Sequence, residues 1–209
     1  MRTRLLPWLL GLLLPTVALA QSITFEEYYP NRVNEVLVFD YSTAAEGEQQ
    51  QSYEGRLIRS PAAPETRGGQ GYQTIEHVTE GLPEFFPRRW KSYHRESDNG
   101  LYSGQLNESG ALDEYLEFPD SAEPGEPWDV MSAFWESQTV SLVPRVETAA
   151  GTFENCIRVE RFREDASSAQ KLTNTTTYCP GVSAVRSSIE HVSPAFRSVT
   201  EIRLVSIGD

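Results

Sequence analysis

Apolar and polar residues alternate along much of this chain, which is the period-two pattern of β-strands. A clear example runs over residues 88–96. One face of this predicted strand carries Trp90, Ser92 and His94, and the other carries Arg89, Lys91, Tyr93 and Arg95. Asn99-Gly100 follows it. Because these two residues tolerate the positive φ angles of tight hairpin turns, they predict a return strand over 101–106.

Strand-like segments continue on both sides of this hairpin, with glycine or proline between most of them. Further strands are predicted at 36–41, 112–118, 137–148, 152–162, 170–179, 182–189 and 197–207. Short strands at roughly ten-residue spacing favour an all-β sandwich or barrel. Three segments are predicted as loops, at 44–51, 59–71 and 119–127. Little helix is expected, although 128–136 fits one or two helical turns as well as a strand.

The N-terminus has the pattern of a cleavable export signal. Arg2 and Arg4 precede an apolar run over 5–14, which is shorter than the ~20 residues of a membrane-spanning helix. Ala18-Leu19-Ala20 is a small-x-small cleavage pattern, so residues 1–20 are expected to be removed before Gln21. The sequence therefore predicts a periplasmic or secreted protein with one β domain over 21–209 and no membrane span.

Charge narrows the classes of partner. The whole chain has a formal net charge of −12, and removing Arg2 and Arg4 from its 18 basic residues leaves 16 against 30 acidic ones, or −14. Nucleic acids and anionic membrane surfaces require positively charged contact surfaces. We therefore expect neither nucleic acid nor a membrane surface as the main partner.

Cys156 and Cys179 are the two cysteines of the chain. In an oxidising compartment, such a pair is usually a disulfide, and consecutive strands over 152–162 and 170–179 would bring the two residues near each other in a staggered register. Two free buried thiols and a metal site are the alternatives, although two cysteines alone do not complete the four ligands of a structural zinc site.

Several segments carry a family resemblance. They are AGTFENCIRV at 150–159, YCPGV at 178–182, Gly125-x-x-Trp128, and Tyr29-Pro30 with Val33. These resemble the motifs of the TapB-type family of uncharacterised exported bacterial proteins. Departures from the family pattern are Asn34 in place of glycine, Leu37 in place of tryptophan, Ala149 in place of proline and Cys179 in place of alanine. The resemblance implies a curved antiparallel sheet, similar to the half-barrels of the periplasmic lipoprotein carriers LolA and LolB, and implies no reaction.

Two groups of residues are candidate binding sites. Large rings that could line an apolar cavity between sheet faces are Trp90, Trp128, Phe134 and Trp135. A basic strand in an otherwise acidic chain could dock an anionic sugar or an envelope protein through Arg89, Lys91, Tyr93 and Arg95. The structural alternatives are a filled core for the first group and an ordinary amphipathic strand for the second.

Catalytic and metal motifs are absent from the sequence. Gly181-Val182-Ser183-Ala184-Val185 lacks the last glycine of a nucleophile elbow, and Ser168-x-x-Lys171 lacks its partner motifs. The three histidines, His77, His94 and His191, have no metal-binding spacing. Acidic residues that recur every three positions suit a solvated loop better than a calcium site; they are Glu117, Asp120, Glu123, Glu126 and Asp129. We therefore assign no catalytic residue, metal or cofactor.

The function expected from the sequence is that of a non-catalytic envelope module, either binding or assembling, that holds an apolar or lipid-like ligand. The alternative is a structural protein that docks a larger envelope assembly. A hydrolase is the third reading, and three polar groups converging in a cleft would revive it.

Overall fold

The computed structural model describes residues 22–47, 50–107, 109–130 and 135–208. The predicted signal peptide lies outside these residues. Two 3₁₀ helices, Glu26–Tyr28 and Pro30–Arg32, accompany the strands. The strands are β1 (Ile23–Thr24), β2 (Leu37–Glu46), β3 (Gln51–Arg67), β4 (Gln70–Glu80), β5 (Arg89–Ser97), β6 (Gly100–Leu106), β7 (Leu112–Pro119), β8 (Ser121–Ala122), β9 (Ser137–Thr148), β10 (Gly151–Asp165), β11 (Gln170–Cys179), β12 (Ser183–Val192) and β13 (Arg197–Ile207).

The strands confirm the predicted fold class. All but β1 and β8 form one antiparallel sheet, which curls into a half-barrel in the order β7-β6-β5-β4-β3-β2-β13-β12-β11-β10-β9. The bounds of β9, β11 and β13 match the predicted strands, and a glycine or proline follows the end of each. In the described part of the chain, no helix has the length and apolar character needed to cross a membrane.

The two edge strands of the sheet, β7 and β9, are linked by the segment that connects them in sequence. The Leu116 N–H of β7 donates to the Val130 carbonyl oxygen at 2.9 Å. On the other side, the Trp128 N–H donates to the Gln138 carbonyl oxygen of β9 at 3.1 Å. These bonds occupy backbone groups that an exposed sheet edge would leave open to other chains.

Residues 23–29 pack into the curl as the centre of a first apolar cluster. Phe25 is fully buried and stacks on Phe118, with the ring centroids 5.0 Å apart, while Trp128 lies 5.7 Å from Phe25. The Gly181 N–H donates to the Glu27 carbonyl oxygen, which ties this segment to the β11–β12 turn. The cluster joins both ends of the sheet; its members are Ile23, Phe25, Tyr28, Tyr29, Leu101, Phe118, Val140, Ile157, Val159, Tyr178 and Ala184.

A second apolar cluster contains the disulfide. Its buried members are Leu37, Phe39, Leu57, Cys156, Cys179, Val185, Ile202 and Leu204. The predicted bond between Cys156 and Cys179 is confirmed, and their Cα atoms are 4.2 Å apart. The next pair of the β10–β11 ladder is Ile157 with Tyr178, so the cysteines face each other directly. The expected stagger arises because β10 extends five residues beyond this point to Gly151.

The segment 59–71 is not the predicted loop, because β3 continues to Arg67 and β4 begins at Gln70. Its two prolines are accommodated in different ways. Pro61 remains paired with Ile75, whereas Pro64 falls within a register shift between Ala62 and Glu65. A bulge of this kind removes the need for a ladder hydrogen bond at a residue that has no N–H.

Candidate functional site

A cavity of about 780 Å³ lies inside the curl of the sheet. It borders both apolar clusters, since Tyr178 belongs to the first and Leu37 to the second. Leu106, which is 41% exposed at the end of β6, also lines it. The cavity therefore reaches solvent near the β6–β7 turn, and its volume falls within the ~300–1,000 Å³ of small-molecule sites.

Strands β4, β5 and β6 contribute a row of buried polar side chains to this cavity. His77, Ser92, His94 and Ser103 all line it. Because strand residues alternate between faces, Ser92 and His94 share the inner face of β5 with Trp90. His94 pairs directly with Ser103 across the β5–β6 ladder. The face expected from the sequence is thus confirmed, and it points inward.

These four side chains form a continuous chain of hydrogen bonds. His77 Nε2 lies 2.8 Å from Ser92 Oγ, which lies 2.9 Å from His94 Nε2. On the other side of its ring, His94 Nδ1 lies 2.7 Å from Ser103 Oγ. The Ser103 hydroxyl donates to Glu117 Oε2. The Glu117 carboxylate can only accept hydrogen bonds, so it sets the direction of the hydrogen bond at this end of the series.

The direction of every bond follows from that end. Ser103 gives its one hydrogen to Glu117, so its oxygen accepts from the Nδ1–H of His94. Burial lowers the pKa of His94, and it lowers the pKa of His77 to about 2, so both rings are neutral. The bare His94 Nε2 then accepts from Ser92, whose oxygen accepts from the Nε2–H of His77. The His77 Nδ1 atom is left as a bare acceptor.

Glu117 points inward because of a bulge. The β6–β7 register passes from Leu101 opposite Phe118 to Tyr102 opposite Leu116, so Glu117 is the extra residue. Bulges re-aim side chains in this way. Phe118 enters the first apolar cluster, while the adjacent Glu117 is buried among polar groups. The spacing expectation that placed Glu117 in a solvated acidic loop is therefore wrong.

Arg161 of β10 completes this polar group and is 4% exposed. Its Nε donates to Gln138 Oε1 at 2.5 Å, and its Nη2 donates to Glu117 Oε1 at 3.4 Å and to the Tyr178 hydroxyl at 3.3 Å. The Tyr178 hydroxyl in turn donates to Glu117 Oε1 at 3.0 Å. Burial is the main cause that raises the pKa of Tyr178 to about 12, which keeps this donor protonated.

Arg59 of β3 lines the same cavity with very different surroundings. Its guanidinium carbon lies 4.7 Å from the centre of the Phe39 ring. Its Nε is buried and has no hydrogen-bond partner among the described residues. Burial lowers the pKa of Arg59, while the nearby Tyr178 and Glu117 act to raise it. A guanidinium remains protonated in proteins, so Arg59 supplies a positive charge.

The predicted aromatic lining is dispersed by the fold. Trp135 borders the cavity. Trp90 stacks on His77 with the ring centroids 4.9 Å apart, and it packs against the second apolar cluster. Trp128 packs against the first cluster. Phe134 lies outside the described residues, and of the other three predicted rings the structure brings Trp135 to the cavity wall.

The predicted docking strand is largely neutralised by carboxylates on its neighbours. Arg95 makes two 2.8 Å bonds to Glu114, and the ammonium of Lys91 lies 2.7 Å from Glu65. Arg89, which is 3.7 Å from a Glu76 oxygen, is the most exposed of the three cations. Tyr93 is 2% exposed, so it does not belong to this surface. The Arg67 guanidinium packs over its ring and donates to its hydroxyl.

The buried polar group was missed by the sequence analysis. Inner faces of sheets are usually apolar, so polar residues on alternating positions are ordinarily assigned to solvent. The available signal was the shared face of Trp90, Ser92 and His94, which mixes a large ring with polar residues. Among the residues that the structure describes, no three His, Cys, Asp or Glu side chains are grouped closely enough to hold a metal ion.

Comparison with known proteins adds little to this geometry. No protein-family model and no curated protein matches the chain. A Bacteroides fragilis protein, described as exported and as having a YmcC-like fold, is 13% identical, with 87% of this chain and 99% of that one covered and a TM-score of 0.47. A protein described as a lipoprotein, from Parabacteroides distasonis, is 11% identical, with 81% and 94% covered and a TM-score of 0.40. The TapB-type resemblance stays a prediction.

Proposed function

We propose that this chain is a non-catalytic binding module of the cell envelope that holds a small molecule inside its curled sheet. One observation carries the proposal. Three residues that line the cavity each carry a buried polar atom with no hydrogen-bond partner among the described residues; these atoms are Arg59 Nε, His77 Nδ1 and Ser183 Oγ. Because unpaired buried polar groups destabilise a fold by about 1–3 kcal/mol each, their retention favours a ligand that pairs with them. The export signal predicted at residues 1–20 supports the envelope location.

The geometry favours a polar ligand over the apolar or lipid-like one expected from the sequence. Of the three expected rings that the structure describes, only Trp135 borders the cavity, whereas His77, Arg59 and Arg161 all line it. Docking to a larger assembly has weaker support, because the cations of the basic strand already contact carboxylates and the edge strands are linked by the 119–130 segment.

Native mass spectrometry of the protein purified without denaturant tests the proposal. We expect a discrete excess mass that disappears after unfolding and refolding. Ile189→Trp, which adds a ring to the cavity wall, should lower the occupancy. Leu142→Trp is the matched control, because Leu142 is 62% exposed on β9. An unmodified mass in every native preparation, or equal occupancy in both variants, would contradict ligand binding in this cavity.

A hydrolase is the second candidate, and the chain from Ser92 through His94 to Glu117 favours it. Ser92 donates to His94 as a nucleophile donates to its base, and His94 Nδ1 lies 3.8 Å from Glu117 Oε2 with Ser103 bonded to both. It ranks lower because the Ser92 oxygen already accepts from His77 and because Ser103 separates the base from its acid. A fluorophosphonate probe decides the matter: labelling that Ser92→Ala abolishes would establish the nucleophile, and no labelling removes this candidate.

A further inference from the structure

The unsatisfied atoms of the cavity differ in what they require. Arg59 Nε is a donor on a positively charged group, and His77 Nδ1 is a bare acceptor at the end of the directed hydrogen-bond chain. Arg59 and His77 are direct partners in the β3–β4 ladder, and both line the cavity. Side chains that are paired in this way have Cβ atoms about 5 Å apart. A single ligand in the cavity can therefore lie next to both residues.

The charge balance of the buried wall favours an anion. Two guanidinium groups, of Arg59 and Arg161, face one buried carboxylate, of Glu117. Glu117 is already bonded to Arg161, Tyr178 and Ser103. The other carboxylates that line the cavity do not neutralise the charge of Arg59. Glu114 is paired with Arg95, and Glu35 and Asp113 are exposed. The wall around Arg59 is thus positive, although the whole chain has a net charge of −12.

An anion alone does not satisfy this wall. A carboxylate or phosphate oxygen placed against His77 Nδ1 would set two acceptors against each other. That atom requires an O–H or N–H donor close to the acid group that Arg59 binds. Ser183 Oγ, which is also buried without a partner among the described residues, can pair with either kind of group.

We infer that the cavity binds a hydroxylated organic acid, in which a carboxylate or phosphate group contacts Arg59 and a nearby hydroxyl donates to His77 Nδ1. This inference rests on the proposed binding function and names its ligand class. Guanidinium forks match the two oxygens of an acid group, which makes Arg59 the specificity-determining residue for charge. His77 then distinguishes a hydroxy acid from a plain one.

Isothermal titration calorimetry on refolded, ligand-free protein tests the inference with five probes. Gluconate and sorbitol 6-phosphate carry hydroxyls with a carboxylate or a phosphate. Sorbitol lacks the acid, hexanoate lacks the hydroxyls, and inorganic phosphate lacks the carbon chain. We expect gluconate or sorbitol 6-phosphate to bind at least about tenfold more tightly than the other three. Sorbitol leaves Arg59 without an acid group and hexanoate leaves His77 Nδ1 without a donor, while inorganic phosphate has no carbon chain to contact the rest of the cavity wall. The better of the two identifies the acid group.

Arg59→Met provides the decisive variant, and Arg56→Met is its matched control. Arg56 lies on the same strand but is exposed, and it does not line the cavity. Arg59→Met should weaken binding of the preferred probe at least about tenfold, whereas Arg56→Met should leave it unchanged. Both proteins should fold, because the Arg59 side chain makes no hydrogen bond or ion pair with the residues that the structure describes.

Three outcomes would overturn the inference: no binding of either hydroxylated acid, equal binding of hexanoate or inorganic phosphate, or unchanged binding by Arg59→Met. Each can occur while native mass spectrometry still shows a bound molecule, in which case the binding function stands and only the ligand class is wrong. An absence of bound mass together with an absence of titratable binding would remove both.

Discussion

Arg161 and Arg59 line the same cavity, yet their surroundings are opposite. Arg161 is bonded to Gln138, Glu117 and Tyr178, while Arg59 lies against the Phe39 ring with its Nε unpaired. A buried charge with complete partners holds strands together, whereas a buried charge without them is a cost to the fold. The comparison separates a structural side of the cavity, on β9–β11, from a receptive side, on β3–β5.

The largest expected effect comes from removing the paired arginine. Arg161→Met leaves Glu117 buried without its cation, and breaking such a pair destabilises proteins by about 3–5 kcal/mol. Arg59→Met breaks no hydrogen bond or ion pair in the described part of the chain, so the free energy of unfolding of this variant should stay the same or rise. Urea denaturation of both variants measures the difference. Equal losses of stability would mean that the two sides do not differ in the way proposed.

Reduction of the disulfide should act on the structural side. The bond closes a loop with a sequence separation of 23, so chain entropy predicts a loss of about 3 kcal/mol on reduction. The protein should nevertheless remain folded, because a domain of this size has its own core. Hydrogen exchange should show increased opening in β10 and β11 before β3 to β5. A uniform increase across the sheet would contradict a local effect.

The receptive side should make stability depend on pH. Burial, with Arg59 and His94 nearby, lowers the pKa of His77 to about 2, against about 6.5 in the unfolded chain. Between these values the unfolded state binds more protons, so stability falls as the pH falls below 6.5, by up to about 1.4 kcal/mol per pH unit.

Urea denaturation between pH 4 and pH 7 measures this dependence. His77→Gln should reduce its slope, and His191→Gln, at the β12–β13 hairpin, is the control. The burial of His94, whose pKa is also lowered, contributes in the same direction and should persist in His77→Gln. An unchanged slope in His77→Gln would show that His77 is accessible to protons in the folded state.

An exposed arginine completes the series with the smallest effect. Arg89 lies 3.7 Å from a Glu76 oxygen, and its side chain is 67% exposed. Exposed pairs contribute about 0–1 kcal/mol, so Arg89→Ser should change the melting temperature little and should not alter ligand binding. A loss as large as that of Arg161→Met would show that the basic strand is held by more than its surface pairs.

The sequence predicted individual strands and the disulfide better than it predicted the side chains that line the cavity. Strands such as β9 and β11 were predictable because turn residues follow them, and the disulfide was predictable because the chain has two cysteines and a predicted export signal. The continuation of β3 past Arg59 was not predictable from the sequence, because prolines such as Pro61 and Pro64 ordinarily interrupt a strand. In the structure Pro61 stays paired with Ile75, and a β-bulge accommodates Pro64. The polar wall was not predicted, because the face shared by Trp90, Ser92 and His94 mixes a large ring with polar residues and alternation alone does not show which face is inside.

The order of the strands has a consequence for how the chain folds. The first long strand, β2, pairs at the centre of the sheet with the last, β13, and Leu37 faces Ile207. Both flanking halves, β2–β7 and β9–β13, are built from neighbours in sequence and require only short loop closures. The pairing of β2 with β13 joins these two halves and closes a loop of almost the whole domain. Contacts between residues so far apart in sequence slow folding. During synthesis, the half formed by β2–β7 can thus fold early, whereas the centre of the sheet can form only after β13 has been made.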